Sequence, residues 1–208
     1  MIDVYISAFP FKIIDGDIFP EKRQEQIESC KNQKVKDEKF YAWKLLELAF
    51  LRSFGVHIKD AGIYQSGEKW TSELYKFSLS HSHGVVAVAV SKSDVGIDVE
   101  KIDLDRFRLL PDKKCLTEIE QGLASGKGDE ELAVLKNALW TVKEAAFKQK
   151  NGKVFRAENI ETSNVSYKTI RIAANKGEYF LSVVGGTEQV NVFPQDGVAV
   201  QNSNEIFL

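Results

Sequence analysis

"GVVAVAVSKSDVGIDVEKI", residues 84–102, sets two strand-forming stretches on either side of a short polar break. The first, "VVAVAV", is apolar from Val85 to Val90 and reads as a strand. In the second, Ile97 and Val99 alternate with Asp98 and Glu100. Strand side chains alternate faces, so both carboxylates share one face while the two apolar side chains share the core-side one. The linking "SKSD", Ser91–Asp94, has the length of a hairpin loop and predicts that the two strands pair. The same break divides the chain into two halves, 1–94 and 95–208.

Outward from this segment, helix and strand patterns mix in both halves, which makes the fold class α+β. "IDVYISAF" predicts a first strand, and "FPEKRQEQIESC" a short helix with Pro20 near its start. In "KDEKFYAWKLLELAFLRSFG", Phe40, Trp43, Leu46 or Glu47, and Phe50 recur three or four apart, with Gly55 as the stop. "AGIYQSGEKW" and "KFSLSHSHG" each read as strand then turn. "PDKKCLTEIEQGLAS" is predicted helical. "DEELAVLKNALWTVKEAAFKQKNG" is a long helix with an apolar stripe of Leu132, Leu135, Leu139 and Val142 and a stop at Gly152. "SYKTIRIAA", "EYFLSVVGG" and "QVNVF" are strands between turn residues.

Composition narrows the class. The 208 residues are 43% hydrophobic and 28% charged, enough to build a real core and ordinary for a soluble globular chain. A net charge of −2 gives no bulk attraction to nucleic acid or to an anionic membrane, so any basic site must be local. Cys30 and Cys115 form neither a metal spacing nor a disulfide framework, as expected of a reducing cytoplasm. The first residues have no basic n-region followed by an apolar run, and no stretch has the length of a membrane span. A cytoplasmic, soluble protein is expected.

Three clusters could carry chemistry. Asp98 and Glu100, two like charges on one strand face, make sense with a cation between them. Hard carboxylate oxygens suit Mg²⁺, which keeps waters and phosphate oxygens as its other ligands. Taken alone, D-x-E reads first as a solvated strand face, because acids two apart are common. In "WTVKEAAFK", Glu144 and Lys148 lie four apart on one helix face with Trp140 a turn earlier. That is either an ordinary surface pair or a third carboxylate followed by a cation for a phosphate. In "SLSHSHG", Ser80, His81, Ser82 and His83 end a strand, where His81 is a candidate phosphate donor or a satisfied structural histidine. With three histidines in the chain and no cysteine nearby, zinc is not expected. The lack of a G-x-S-x-G elbow argues against a serine hydrolase. Lys31, Lys34, Lys36 and Lys39 form a basic run that composition explains as a solvated surface.

In order, S-H-S, G-I-D-V-E-K and W-x-x-K-E-A-x-x-K, from about Phe77 to Gly152, resemble the 4′-phosphopantetheinyl transferases. The resemblance is to the monomeric type that activates nonribosomal peptide synthetases such as surfactin synthetase. It implies two similar α+β lobes in one chain, a pseudodimer, acting as a monomer. The implied reaction moves phosphopantetheine from coenzyme A to a serine of an apo acyl or peptidyl carrier protein and releases adenosine 3′,5′-bisphosphate. It also implies Asp98, Glu100 and Glu144 as Mg²⁺ ligands, with Glu144 also a candidate general base and Lys148 acting on the leaving phosphate. Ser80 and His81 match the pair that touches coenzyme A phosphates.

Nearer the N-terminus the match loosens. An arginine before a Leu-Leu pair is common in the family. Here Trp43 holds its place and Lys44 stands one residue on, about 100° around the helix. Lys34 or Lys31 is a substitute. The family's G-K-P turn appears as "GEKW", with Lys69 after an inserted Glu68. Two other readings stand beside the transferase. One is a non-catalytic protein of the same fold that binds coenzyme A or a carrier. The other is a metal-dependent phosphohydrolase.

Overall fold

The computed structural model describes residues 1–12, 19–67, 69–174, 177–186 and 189–201, so Glu68 of the "GEKW" turn lies outside it. Strands β1 (Ile2–Ala8), β4 (Lys76–Ser82), β5 (Val85–Ser91) and β9 (Val190–Pro194) form one sheet, ordered β4-β5-β1-β9. Strands β6 (Gly96–Lys101), β7 (Tyr167–Ala174), β8 (Gly177–Val184) and β10 (Val198–Val200) form a second, ordered β10-β7-β8-β6. A small hairpin pairs β2 (Ile63–Ser66) with β3 (Lys69–Ser72). The mixed α+β class expected from sequence is what the chain adopts.

The two large sheets bury their inner faces against each other. Ile2, Val4, Ile6, Val85, Ala87 and Ala89 of the first meet Ile97, Val99, Ile170, Ile172, Leu181 and Val183 of the second. The opposite face of the first sheet, with Tyr5, Val86, Val88 and Val90, packs on helix α2 (Gln33–Phe54) through Ala42, Trp43, Leu45, Leu46, Ala49 and Phe50. The apolar run in β5 is thus buried on both faces, as its composition demands. On the second sheet the outer face packs under helix α6 (Asp129–Gln149), through Ala145, Ala146 and Val184. Helix, sheet, sheet and helix therefore stack as four layers.

The connection at Ser91–Asp94 is not a hairpin. β5 lies between β4 and β1, whereas β6 pairs antiparallel with β8, Asp98 opposite Ser182 and Glu100 opposite Phe180. "SKSD" carries the chain from one sheet to the other. The actual hairpin comes one strand earlier, between β4 and β5, where His83 (φ 47) and Gly84 (φ 91) supply a two-residue turn with both positions left-handed. The midpoint division is also crossed, because β9 runs parallel to β1 in the first sheet.

The stretch expected as one helix after Leu110 is broken. Helix α3 (Leu104–Leu109) precedes it, and α4 (Asp112–Cys115) and α5 (Glu118–Ala124) divide it. Thr117 interrupts the run because its hydroxyl caps α5 while Glu120 reaches back to the Thr117 N–H. Helix α1 (Glu21–Glu28) follows Pro20 as expected, and Gly55 (φ 66) ends α2. At the end of α6 the left-handed residue is Asn151 (φ 52), not Gly152. Gly152 is needed for another reason, since a Cβ there would stand 2.2 Å from the Phe147 ring.

One glycine sets the spacing of the second sheet and its helix. A Cβ on Gly96 would lie 1.9 Å from the Ala145 carbonyl oxygen and 2.8 Å from the Gln149 nitrogen. Hydrogen in place of a methyl lets α6 lie directly on β6. Among the described residues no helix is long and apolar enough to cross a membrane.

Two outcomes follow. Gly96→Ala must push backbone against backbone and should lower stability by at least about 1–3 kcal/mol in urea unfolding, as overpacked cores do. Gly122→Ala, where an added Cβ meets nothing within 4 Å, should not. Burial pushes the Cys115 thiol up to about 12, although Lys143 and Lys136 pull it down. The thiolate is the reactive form, so a raised value means a neutral thiol throughout the usual working range. At pH 8 a maleimide should label native protein at Cys30 alone, and Cys115 should react only after denaturation.

Candidate active site

β4 and β6 are edge strands of different sheets, and they lie side by side. β6 spends its even-numbered N–H groups on β8, as the Ile102 N–H to Glu178 carbonyl bond (2.9 Å) shows by parity. Its odd-numbered N–H groups face β4, where the period of two places a serine hydroxyl opposite each. Ile97 N–H donates to Ser78 Oγ (3.1 Å), Val99 N–H to Ser80 Oγ (3.2 Å) and Lys101 N–H to Ser82 Oγ (3.3 Å). Side chains of one sheet thus replace the backbone ladder that would otherwise satisfy the edge of the other.

On β6 the sequence reading of faces holds: Ile97 and Val99 enter the core between the sheets, and Asp98 and Glu100 point the other way. Asp98 is 4% exposed and is held by two groups that also bond each other. Ser80 Oγ donates to its Oδ1 at 2.8 Å, Lys148 Nζ donates to the same oxygen at 2.7 Å, and Lys148 also donates to Ser80 Oγ at 3.0 Å. Glu100 is half-buried, accepting from Ser82 Oγ at 3.2 Å and from the guanidinium of Arg106 on α3. Arg106 lies over the ring of Trp140, and Trp140 Nε1–H donates to Glu144 Oε1 at 2.8 Å. Burial raises the Glu144 pKa first, and the charges of Asp98 and Glu100 raise it further, while Lys148 and Trp140 oppose. The three carboxylates therefore share one field.

They do not form a closed cage. Among the described residues no three His, Cys, Asp or Glu side chains converge closely enough to hold an ion as they stand. Each acid is instead compensated by Lys148, Arg106 or Trp140. The donor set nevertheless suits Mg²⁺: hard oxygens, mutually repelling, on one face. A divalent cation would relieve the same repulsion.

The other sequence candidates divide. Lys148 and Lys69 line one cleft of about 450 Å³ with Lys76, Lys153 and Trp70, between the β2–β3 hairpin and the end of α6. Lys69 also donates to Asn151 Oδ1 at 3.1 Å. His81 Nδ1 meets Glu38 Oε2 at 3.2 Å, and the ring is partly open to solvent. Its pKa is lowered, by burial first and by Lys148 and Arg23, against the opposing charges of Glu38 and Asp98. Lys44 pairs with Glu47 at 2.8 Å and stands over Phe19, and Lys34 is exposed, 3.9 Å from Glu38. Neither lines the cleft. Ser80, expected at a phosphate, has a hydroxyl that already donates once and accepts twice, which exhausts it.

Sequence reasoning passed over Arg23 and Arg106. Arg23, from α1, stacks its guanidinium 5.2 Å from the Trp43 ring and donates to the Lys39 carbonyl oxygen at 2.8 Å. A cation thus reaches Trp43 from another helix. Arg106 follows the acidic strand by only a few residues, but nothing in "DLDRFR" marks it as the partner of Glu100. Within "WTVKEAAFK" the adjacent lysine and glutamate part ways. Glu144 faces the site, while Lys143 is fully buried, bonded to Glu120 and to the carbonyls of Cys115 (2.8 Å) and Ala157 (3.0 Å).

A family model described as 4′-phosphopantetheinyl transferase superfamily matches residues 94–197, half of the chain. The matched stretch contains β6, α3 to α6 and β7 to β9, hence Asp98, Glu100, Glu144 and Lys148. No curated protein matches the chain at a significant level.

The Lys143–Glu120 pair lies inside that stretch and makes a prediction about its scaffold. Glu120 also accepts from Thr162 Oγ1 at 2.7 Å and from the Thr117 N–H at 2.9 Å, so the pair ties α4, α5 and α6 to the loop at Thr162. Removing one buried charge leaves the other uncompensated. Lys143→Met should cost about 3–5 kcal/mol in denaturant unfolding, and Lys143→Met with Glu120→Leu should recover part of that loss.

Proposed function

The chain belongs to the 4′-phosphopantetheinyl transferase superfamily, and on that premise we propose that it transfers phosphopantetheine from coenzyme A to a serine of an apo carrier protein. The observation that carries this reading is the placement of Asp98, Glu100 and Glu144 in one field. Lys148 lies among them and also lines a lysine-rich cleft. That cleft, with Lys69, Lys76 and Lys153 besides Lys148, has the charge and size to accept the phosphates of coenzyme A. His81 and Arg23 add hydrogen-bond donors and positive charge on the β4 side. Ser80 is reassigned from phosphate contact to support of Asp98.

Asp98, Glu100 and Glu144 would hold Mg²⁺, which would supply charge neutralisation for the phosphates of coenzyme A. Glu144, which faces the site and is held by the Trp140 indole N–H, accepts the proton of the carrier serine. The serine oxygen bonds to the phosphorus that bears pantetheine. The bridging P–O bond breaks, and adenosine 3′,5′-bisphosphate leaves with its new charge facing Lys148. The phosphates of coenzyme A would offer Lys148 an alternative partner to Asp98.

The finer type proposed is the monomeric, surfactin-synthetase-activating one, with lobes 1–94 and 95–208. Connectivity supports two similar lobes. In the first half β1 leads through one short helix to the long α2, then through the β2–β3 hairpin to the pair β4–β5. In the second β6 leads through three short helices to the long α6 and then to the pair β7–β8, giving the sheet orders β4-β5-β1 and β7-β8-β6. β9 then crosses back to the first sheet.

Incubation with coenzyme A, Mg²⁺ and a panel of apo acyl and peptidyl carrier proteins should add the phosphopantetheine mass to at least one carrier serine. Glu144→Gln should fold normally and lower kcat by about 100-fold or more. No mass shift across the panel would sink the transferase reading.

A further inference from the structure

The serines of β4 repeat one unit. Ser80 accepts from the N–H of Val99 and donates to the side chain of the preceding residue, Asp98. Ser82 accepts from the N–H of Lys101 and lies 3.2 Å from the side chain of its preceding residue, Glu100, and 3.0 Å from His83 Nδ1. Ser78 accepts from the N–H of Ile97, but the preceding residue is Gly96, which has no side chain to hold. Each serine therefore closes the strand edge, and two of them also aim an acid. Ser80 is 5% exposed and Ser82 6%, so neither hydroxyl is a surface group free to rotate toward water.

The geometry points to Ser80 and Ser82 as positioning residues that fix the orientation of Asp98 and Glu100 for a divalent cation. A carboxylate held by a neutral hydroxyl keeps its charge and one fixed oxygen, so its other lone pairs are presented in a set direction. Lys148 and Arg106 also hold these acids, but each is a cation that competes with an incoming metal for the same charge. The hydroxyls do not compete, and they stay when the cations are displaced. Because the hydroxyls belong to β4 and the acids to β6, the site's precision is set by the seam between the sheets. This inference rests on the metal reading proposed above.

The three serines supply their own control. Loss of the hydroxyl at Ser78 removes only an edge bond, whereas loss at Ser80 or Ser82 removes an edge bond and a carboxylate partner. Binding of Mn²⁺ alone, read from the electron paramagnetic resonance signal of the free ion, measures the site without requiring turnover. Thermal unfolding of each variant measures the edge bond. Ser80→Ala and Ser82→Ala should weaken Mn²⁺ binding by ~10-fold or more, the usual effect of removing a partner that orients a ligand. Ser78→Ala should lower the melting temperature comparably and bind Mn²⁺ as the wild type does. Wild-type affinity in both Ser80→Ala and Ser82→Ala would overturn the positioning role, as would equal loss in Ser78→Ala. Wild-type protein that takes up no Mn²⁺ would overturn the metal reading itself, a failure visible before any variant is compared.

Discussion

An edge strand must find partners for every second backbone N–H, and β6 finds them in the hydroxyls of Ser78, Ser80 and Ser82. Most of the site's arrangement depends on that seam. A backbone ladder would have merged the two sheets into one, with strands about 4.8 Å apart and both acids facing a neighbouring strand's side chains. Serine side chains bridge the two edges instead, and at Ser80 and Ser82 the hydroxyl hydrogen is available to an acid. The same bonds that finish the second sheet therefore place its functional face.

Charge balance on that face is local. Asp98 is nearly buried and its partners are Lys148 and Ser80, while Glu100 is met by Arg106 and Ser82. Glu144 has the least compensation, a single indole N–H and the nearby Lys148 charge, and its affinity for a proton rises accordingly. The order follows from position: the two strand acids meet the β4 serines, whereas the helix acid meets the indole of Trp140 on its own helix.

Much of this was legible in the sequence, and what was not has a physical reason. Alternation in "GIDVE" assigned Ile97 and Val99 to the core and the acids to the other face, because one face of a strand can be read from its own residues. Pairing cannot be read that way. "SKSD" fits a hairpin by length, but β6 pairs with β8, which comes some eighty residues later in the chain. The serines of "SLSHS" carry the right period but no sign of what they face. Neighbours Lys143 and Glu144 differ in role because one step along a helix turns a side chain by about 100°, and only the packing of α5 and α6 decides which direction is interior. Arg23 supplies a cation near Trp43 from a different helix, so its relevance is purely tertiary.

The parallel pairing of β9 with β1 concerns the chain's history more than its chemistry. Ile2 aligns with Val190 and Ile6 with Pro194, so β1 acquires its second neighbour only after β9 has been made. Closing so long a loop is slow, and β1 meanwhile offers an open edge rich in Val, Ile and Tyr. Without β9 the first sheet is unfinished, and β1 has a partner only in β5, on one side. The strand that completes it is made only after the acids and the helix above them. The half of the molecule that carries the candidate carboxylates therefore also acts in cis as guardian of the half that does not, shielding an aggregation-prone edge as it folds.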